Sequence, residues 1–305
     1  EMSSHQIQRD LEAIAQQQQQ PQSSSTQPST QSSTQSSPSQ NPLVLVQYTE
    51  TNRSVTITLN NPSKLNTFTN RLYQILIHLL QYCDTCDDRI TFVILTGAGK
   101  FFTAGNDLGN VSSLLRPNAT HEQIERELNT LIFDRVQALV DVLIDFTKIL
   151  ILAVNGPSVG IGVTMIPLCD FVFCSDRATF HTPFMKLGIC AEACSSYTFP
   201  RLMGPLKAND ILLQNVKLSA QEAVGKYGLV TRVIPHEQLL SQVQEFVTVQ
   251  LAVHPCGALI ATKQLMREKQ VLHQVNEREC RMLKERMGSK ESRQIIHQFF
   301  KMSKM

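Results

Sequence analysis

From Leu43 onward the chain alternates between two hydrophobic periods. Leu43–Tyr48 and Ser54–Leu59 alternate apolar and polar residues, which predicts a β-hairpin. Asn60-Asn61-Pro62 then breaks the chain. Phe68 to Tyr82 carries apolar residues at helical spacing, and Thr91–Leu95 is a short apolar run suited to a buried parallel strand. After a turn at Gly97-Ala98-Gly99-Lys100, Thr120 to Phe146 predicts one long amphipathic helix. Its stripe is Ile124, Leu128, Leu131, Ile132, Val136, Leu139, Val140 and Leu143, and Thr120 with Gln123 fits a capping box at its start. Ile149–Val154, Phe171–Cys174 and Leu229–Val233 predict further short strands. Residues 237–305 read mainly as helix, with a break near Pro255. Strands alternating with helices give an α/β fold, and no internal repeat is visible.

Residues 1–42 lack this patterning. Gln16 to Gln20 is a glutamine run, followed by Ser, Thr, Gln and Pro up to Pro42. Such a segment has too little apolar surface to offset its ordering entropy, so a disordered tail is expected. Residues 6–15 suit a short helix, with nothing in the sequence to oblige it to dock.

The whole chain has 305 residues, 42% of them hydrophobic, enough for one large domain with a full core or two smaller ones. A formal charge of +2 gives no push toward nucleic acid or an acidic membrane surface. The longest apolar run, Ile149 to Val154, is too short to span a membrane. The N-terminus has no charged-then-apolar signal pattern, so the eight scattered cysteines are expected to be reduced thiols in an intracellular protein. Cys83 and Cys86 form a lone Cys-x-x-Cys without a second ligand pair; two helix-end thiols are expected there, and no metal site.

Three stretches stand out near strand ends: Phe101 to Leu108, Val154 to Gly162, and Leu187 to Ser196. Gly160 and Gly162 do not make the Gly-x-Gly-x-x-Gly dinucleotide fingerprint, and there is no phosphate-binding P-loop. Glycines after strands usually just turn the chain, and a lone loop glutamate is usually a solvated charge. The residues by themselves therefore define an α/β domain with two glycine-bearing loops where such folds bind ligands.

The order and spacing of several stretches carry more. Asn61-Pro62-Ser63-Lys64-Leu65-Asn66, Phe102-Thr103-Ala104-Gly105-Asn106-Asp107 and Val154-Asn155-Gly156-Pro157 to Gly162 resemble the early CoA-binding turn and the two oxyanion loops of the crotonase family of enoyl-CoA hydratases and isomerases. Over residues 43–305 the chain is most similar to the peroxisomal Δ3,Δ2-enoyl-CoA isomerases, most densely from Ser175 through Glu192 to Pro200. The resemblance implies a ββα spiral core at 43–240, a helical, trimer-forming C-terminal region at 241–305, and a homotrimer.

It also implies chemistry. Glu192 takes the place of the acid/base that moves a proton between C2 and C4 of a 3-enoyl-CoA. The backbone N–H groups of Asn106 and Ile161 take the place of the oxyanion donors, helped by the short helix that Ile161 and Gly162 open. Gly105 and Gly160, with Ala104, let the backbone approach the ligand. Lys64, and less strongly Lys263, are candidates to meet the anionic CoA. No flavin, nicotinamide or metal is implied, because CoA is part of the substrate. The two glutamates of hydratases fall on Thr164 and Phe184, which cannot serve as carboxylate acid/bases. Asp107 matches a loop acid of the family, and capping of the turn that follows is its expected role. The related isomerases have Gly where this chain has Ala193, a substitution that a positive φ would strain. Ser303-Lys304-Met305 resembles the peroxisomal Ser-Lys-Leu address, implying an import receptor and a peroxisomal location, with mitochondrion or cytoplasm as alternatives. Against the isomerase stand another crotonase activity, such as dienoyl-CoA isomerisation or weak hydration, and a non-catalytic binding protein on the same fold.

Overall fold

A computed structural model describes residues 3–16, 42–86, 88–107, 109–110, 116 and 118–303, with the backbone alone for 299–303. Among them are nine strands: β1 (Val44–Thr49), β2 (Ser54–Leu59), β3 (Phe92–Gly97), β4 (Ile149–Val154), β5 (Ser158–Val159), β6 (Phe171–Ser175), β7 (Thr179–His181), β8 (Leu218–Ser219) and β9 (Arg232–Ile234). Six form one sheet in the order β1-β2-β3-β4-β6-β9; β5, β7 and β8 form a second, three-stranded one. β1 and β2 are the expected antiparallel hairpin, and every other pairing in the large sheet is parallel.

The strand alternation sorts side chains onto two cores. Val93, Leu95, Leu150 and Leu152 join the main core, whereas Ile94, Ile151, Ala153 and Phe173 face a smaller core on the other side. Both faces being covered explains why β4 is apolar at every position.

The helices are α1 (Ser4–Gln16), α2 (Asn70–Thr85), α3 (His121–Leu131), α4 (Ala138–Asp145), α5 (Ile161–Thr164), α6 (Ser195–Met203), α7 (Pro205–Leu212), α8 (Ala220–Gly225), α9 (Leu239–Glu245), α10 (Cys256–Met266), α11 (Lys269–Gly288) and α12 (Lys290–Ser303). The predicted long helix after Thr120 is present with both halves of its capping box, but a π turn at Ile132–Gln137 divides it into α3 and α4. A π turn holds one residue more than an α turn, so it shifts the apolar stripe of α3 relative to that of α4. α11 packs across α3, the π turn, α4 and α6.

The disordered-tail expectation is corrected over Ser4–Gln16. Ile7, Leu11 and Ala15, four residues apart on one helix face, are buried in the main core. Gln8 anchors the helix to the outer strand of the sheet: its Oε1 accepts the Tyr48 N–H at 2.7 Å and its Nε2 donates to the Val46 carbonyl at 3.0 Å. The Tyr82 hydroxyl donates to Asp10 at 3.0 Å. An edge strand offers unpaired backbone groups, and α1 covers those of β1. Residues 17–41, the rest of the glutamine- and serine-rich stretch, lie outside the described residues.

Candidate active site

The first loop follows β3. Thr103, fully buried, donates from its hydroxyl to the Asn66 carbonyl at 2.7 Å and accepts the Gly105 N–H at 3.0 Å. The Ala104 N–H donates to the Leu65 carbonyl at 2.9 Å, drawing the exposed Pro62–Lys64 turn, and with it Lys64, against this loop. Asn66 and Asn155 staple the base of the site. Asn66 Nδ2 donates to the carbonyls of Ala98 and Phe101 at 2.9 and 2.8 Å, and Asn155 Oδ1 accepts the Gly97 N–H at 3.1 Å. Asp107 accepts the Gly109 N–H at 2.8 Å, which is the turn-capping role expected for it.

The second loop runs from β4 through β5 to α5. The Val159 N–H donates to the Thr103 carbonyl at 3.0 Å, which ties the two loops together. A β-carbon on Gly105 would lie 2.9 Å from the Val159 carbonyl oxygen, and Gly105 holds φ +85°; both facts demand glycine. Among the described residues, the amides of Asn106 and Ile161 donate no hydrogen bond. Two loop amides left unpaired beside a cavity are the raw material of an oxyanion hole.

Glu192 faces these loops. Its Oε1 lies 3.9 Å from where a β-carbon would sit on Gly160. Glu192 is 7% exposed, and it lines a cavity of about 420 Å³ with Ala104, Gly105, Asn106 and Gly160. Leu131 of α3, Ile132 and Val136 of the π turn, and Leu283 and Met287 of α11 make its walls apolar. Burial, and secondarily the charge of Glu279, push the Glu192 carboxyl from 4.5 up to about 8. A carboxyl poised there can both take and return a proton near neutrality. His181 shares the cavity; burial, then the cations Lys186 and Lys217, lower its pKa.

The turn after Glu192 is strained. Ala193 (φ 54°) and Cys194 (φ 63°) are consecutive non-glycine residues in the left-handed region, the conformation in which alanine was expected to be costly. Glu279 of α11 meets this turn. Its two oxygens accept the N–H groups of Cys194 at 2.7 Å and Ser196 at 2.8 Å. The sequence reading overlooked Glu279. Its signal is a charged residue on the stripe Leu272, Val275, Cys280, Leu283 and Met287, all buried on α11.

Thr164 is buried and Phe184 lines the Glu192 cavity, so neither hydratase position carries a carboxylate. Lys263 stands apart from the site within this chain. It is 8% exposed, its Nζ donates to the Lys148 carbonyl and to Asp170 Oδ2 at 2.7 Å, and it lines a different cavity. An ammonium group that has left water needs such partners, and they occupy two of its three donors. Ser303 ends α12; its side chain and all of Lys304 and Met305 lie outside the described residues. All eight cysteines are free thiols, and no cluster of metal-ligating side chains occurs among the described residues. No single described helix is long and apolar enough to cross a membrane.

An α/β core with two tied glycine loops facing a buried carboxyl is the arrangement that the resemblance to the crotonase family leads one to expect. Residues 50–304 match the family described as Enoyl-CoA hydratase/isomerase, and the chain belongs to that family. It is 42% identical over 245 residues to rat (Rattus norvegicus) Enoyl-CoA delta isomerase 2, covering 80% of this chain and 60% of that protein. It is 39% identical over 249 residues to mouse (Mus musculus) Enoyl-CoA delta isomerase 3, peroxisomal, covering 80% and 74%. This chain thus spans about three fifths of the rat protein's length. Among solved structures, an enoyl-CoA hydratase/isomerase from Pseudoalteromonas atlantica T6c superposes with a TM-score of 0.73 at 29% identity, covering 85% of this chain and 97% of that one.

Proposed function

We propose that this chain isomerises 3-enoyl-CoA to trans-2-enoyl-CoA in fatty-acid β-oxidation. Ionised Glu192 takes a proton from C2, and the electron pair moves into the thioester carbonyl. The amides of Asn106 and Ile161 hold the resulting oxyanion, each contributing roughly 3–4 kcal/mol. Collapse of the dienolate draws the proton on Glu192 back to C4. One acid/base suffices because the proton leaves and returns on the same carboxyl. The observation that carries this reading is the buried Glu192 carboxyl beside two loop amides without partners among the described residues.

The apolar walls accept the acyl chain, Lys64 meets the CoA at the mouth, and no further cofactor takes part. Hydration is disfavoured because Thr164 and Phe184 cannot activate water. We assign the active form to a homotrimer, delivered to the peroxisome by an import receptor that reads Ser303-Lys304-Met305.

Purified protein should isomerise 3-hexenoyl-CoA or 3-decenoyl-CoA in a coupled assay and hydrate 2-enoyl-CoA very poorly. Glu192→Gln should still bind CoA esters but lose about 10²–10⁴-fold in rate. Near-normal isomerisation by that variant would mean another residue is the base.

A further inference from the structure

Glu279 is a buried carboxylate, 5% exposed, that the reaction above does not use. Its two oxygens are spent on two backbone N–H groups two residues apart, Cys194 at 2.7 Å and Ser196 at 2.8 Å. Those amides belong to the turn that leaves Glu192. The turn passes through two left-handed non-glycine residues, which a chain does not hold without an outside constraint. Its own side chains supply a lesser one: Ser195 donates from its hydroxyl to the Glu192 carbonyl at 2.7 Å. Cys194 sits at the N-cap of α6 without a side-chain cap, so a neighbouring helix provides the acceptor instead.

We propose that Glu279 is a positioning residue for Glu192, clamping the left-handed Ala193–Cys194 turn from α11 and so fixing where the Glu192 carboxyl enters the cavity. The proposal rests on Glu192 being the acid/base. One helix then sets two things together: Leu283 and Met287 lie one and two turns beyond Glu279 on α11 and form the cavity wall. Moving α11 would displace the base and the wall as a unit.

Glu279 also acts by charge. Burial raises the Glu279 carboxyl above its ordinary value, opposed by the Ser196 and Cys194 donors, and its charge favours the neutral form of Glu192. The other groups facing this pair are Tyr73 from α2, whose buried hydroxyl has no partner among the described residues, and the thiols of Cys190, Cys194 and Cys280. Arg278 neighbours Glu279 on α11, Asp141 of α4 faces Cys194 and Cys280, and His181 and Lys186 line the same cavity as Glu192.

Two variants separate position from charge. Glu279→Asp keeps the charge and shortens the reach. It should lower kcat about 10- to 100-fold with KM within a few fold, and leave the acidic limb of the pH profile in place. Glu279→Gln should lower kcat similarly and move the acidic limb to lower pH. Adding Ala193→Gly, which relaxes the turn, should recover more rate in Glu279→Gln than it adds to the wild type. Wild-type kcat in Glu279→Asp overturns the proposal, whether or not Glu279→Gln folds. So does a Glu279→Gln variant whose melting temperature falls while kcat and the acidic limb stay put. Wild-type protein without isomerase activity would instead defeat the functional reading. Position is then tested by the Glu192 carboxyl band in infrared spectra, assigned by its absence in Glu192→Gln. That band should shift in frequency in Glu279→Asp, because the carboxyl then enters the cavity at a different place, and an unmoved band overturns the clamp.

Discussion

Glu192 should destabilise the protein it serves, and the size of the effect follows from its burial. Its carboxyl rises from 4.5 to about 8 on folding, so between those values the folded chain keeps a proton that the unfolded chain has lost. A raised carboxyl contributes fully to stability below pH 4.5, and that contribution is lost as the pH climbs toward 8. Each pH unit in that window removes about 1.4 kcal/mol, so roughly 3 kcal/mol has gone by pH 7. Glu192→Gln abolishes the titration while keeping a similar shape, and Glu279 remains in both proteins. The assay is urea unfolding of wild type and variant at one protein concentration, at pH 5, 6, 7 and 8. The stability difference, variant minus wild type, should rise by about 1.4 kcal/mol per unit across that range. The buried amide adds an offset that does not vary with pH. A difference that stays flat from pH 5 to 8 would mean that Glu192 is ionised and solvated in the folded protein, and the argument from burial would be refuted.

Three further outcomes test separate parts of the structure. Gly105→Ala would bring a β-carbon to 2.9 Å from the Val159 carbonyl at φ +85° and displace the Asn106 amide; kcat should fall about 10²–10³-fold, and a wild-type kcat would remove this loop from the site. Leu11→Ala empties a fully buried position under α1 and should lower the unfolding free energy by roughly 2–5 kcal/mol in urea titrations, whereas an unchanged midpoint would mean that α1 does not dock in solution. The last dozen residues fused to a fluorescent protein should give punctate peroxisomal signal that disappears when Met305 is removed, and uniform cytosolic fluorescence from the intact fusion would refute the address.

What the sequence made legible was local or periodic. Ile149–Val154 was bounded correctly because six apolar residues end at Asn-Gly-Pro, and the start of α3 was found because Thr120 and Gln123 satisfy each other. Both glycine loops were visible as punctuation after strands. The docking of α1 was missed because only its one-sided stripe of Ile7, Leu11 and Ala15 speaks for it, and the glutamine run beside it outweighs that stripe in composition. Glu279 was missed because its meaning lies in a contact between positions 83 and 85 residues apart. The burial of Lys263 was hidden for a related reason: a lysine reads as a surface cation until Asp170 is seen beside it. The cost at Ala193 was legible as a condition, and only the backbone angle turns the condition into a fact.

The π turn at Ile132–Gln137 makes the Glu192 cavity tunable by counting residues. Ile132 and Val136 stand on the cavity wall, and the surplus residue of the turn sets their phase against α3. Excising one residue from it would leave a continuous α-helical ladder, with α3 rotated by about 100° relative to α4. In this wall a single-codon deletion is therefore a geometric operation: it would exchange one whole face of α3 for another while leaving the hydrogen-bonded spine of the helix closed.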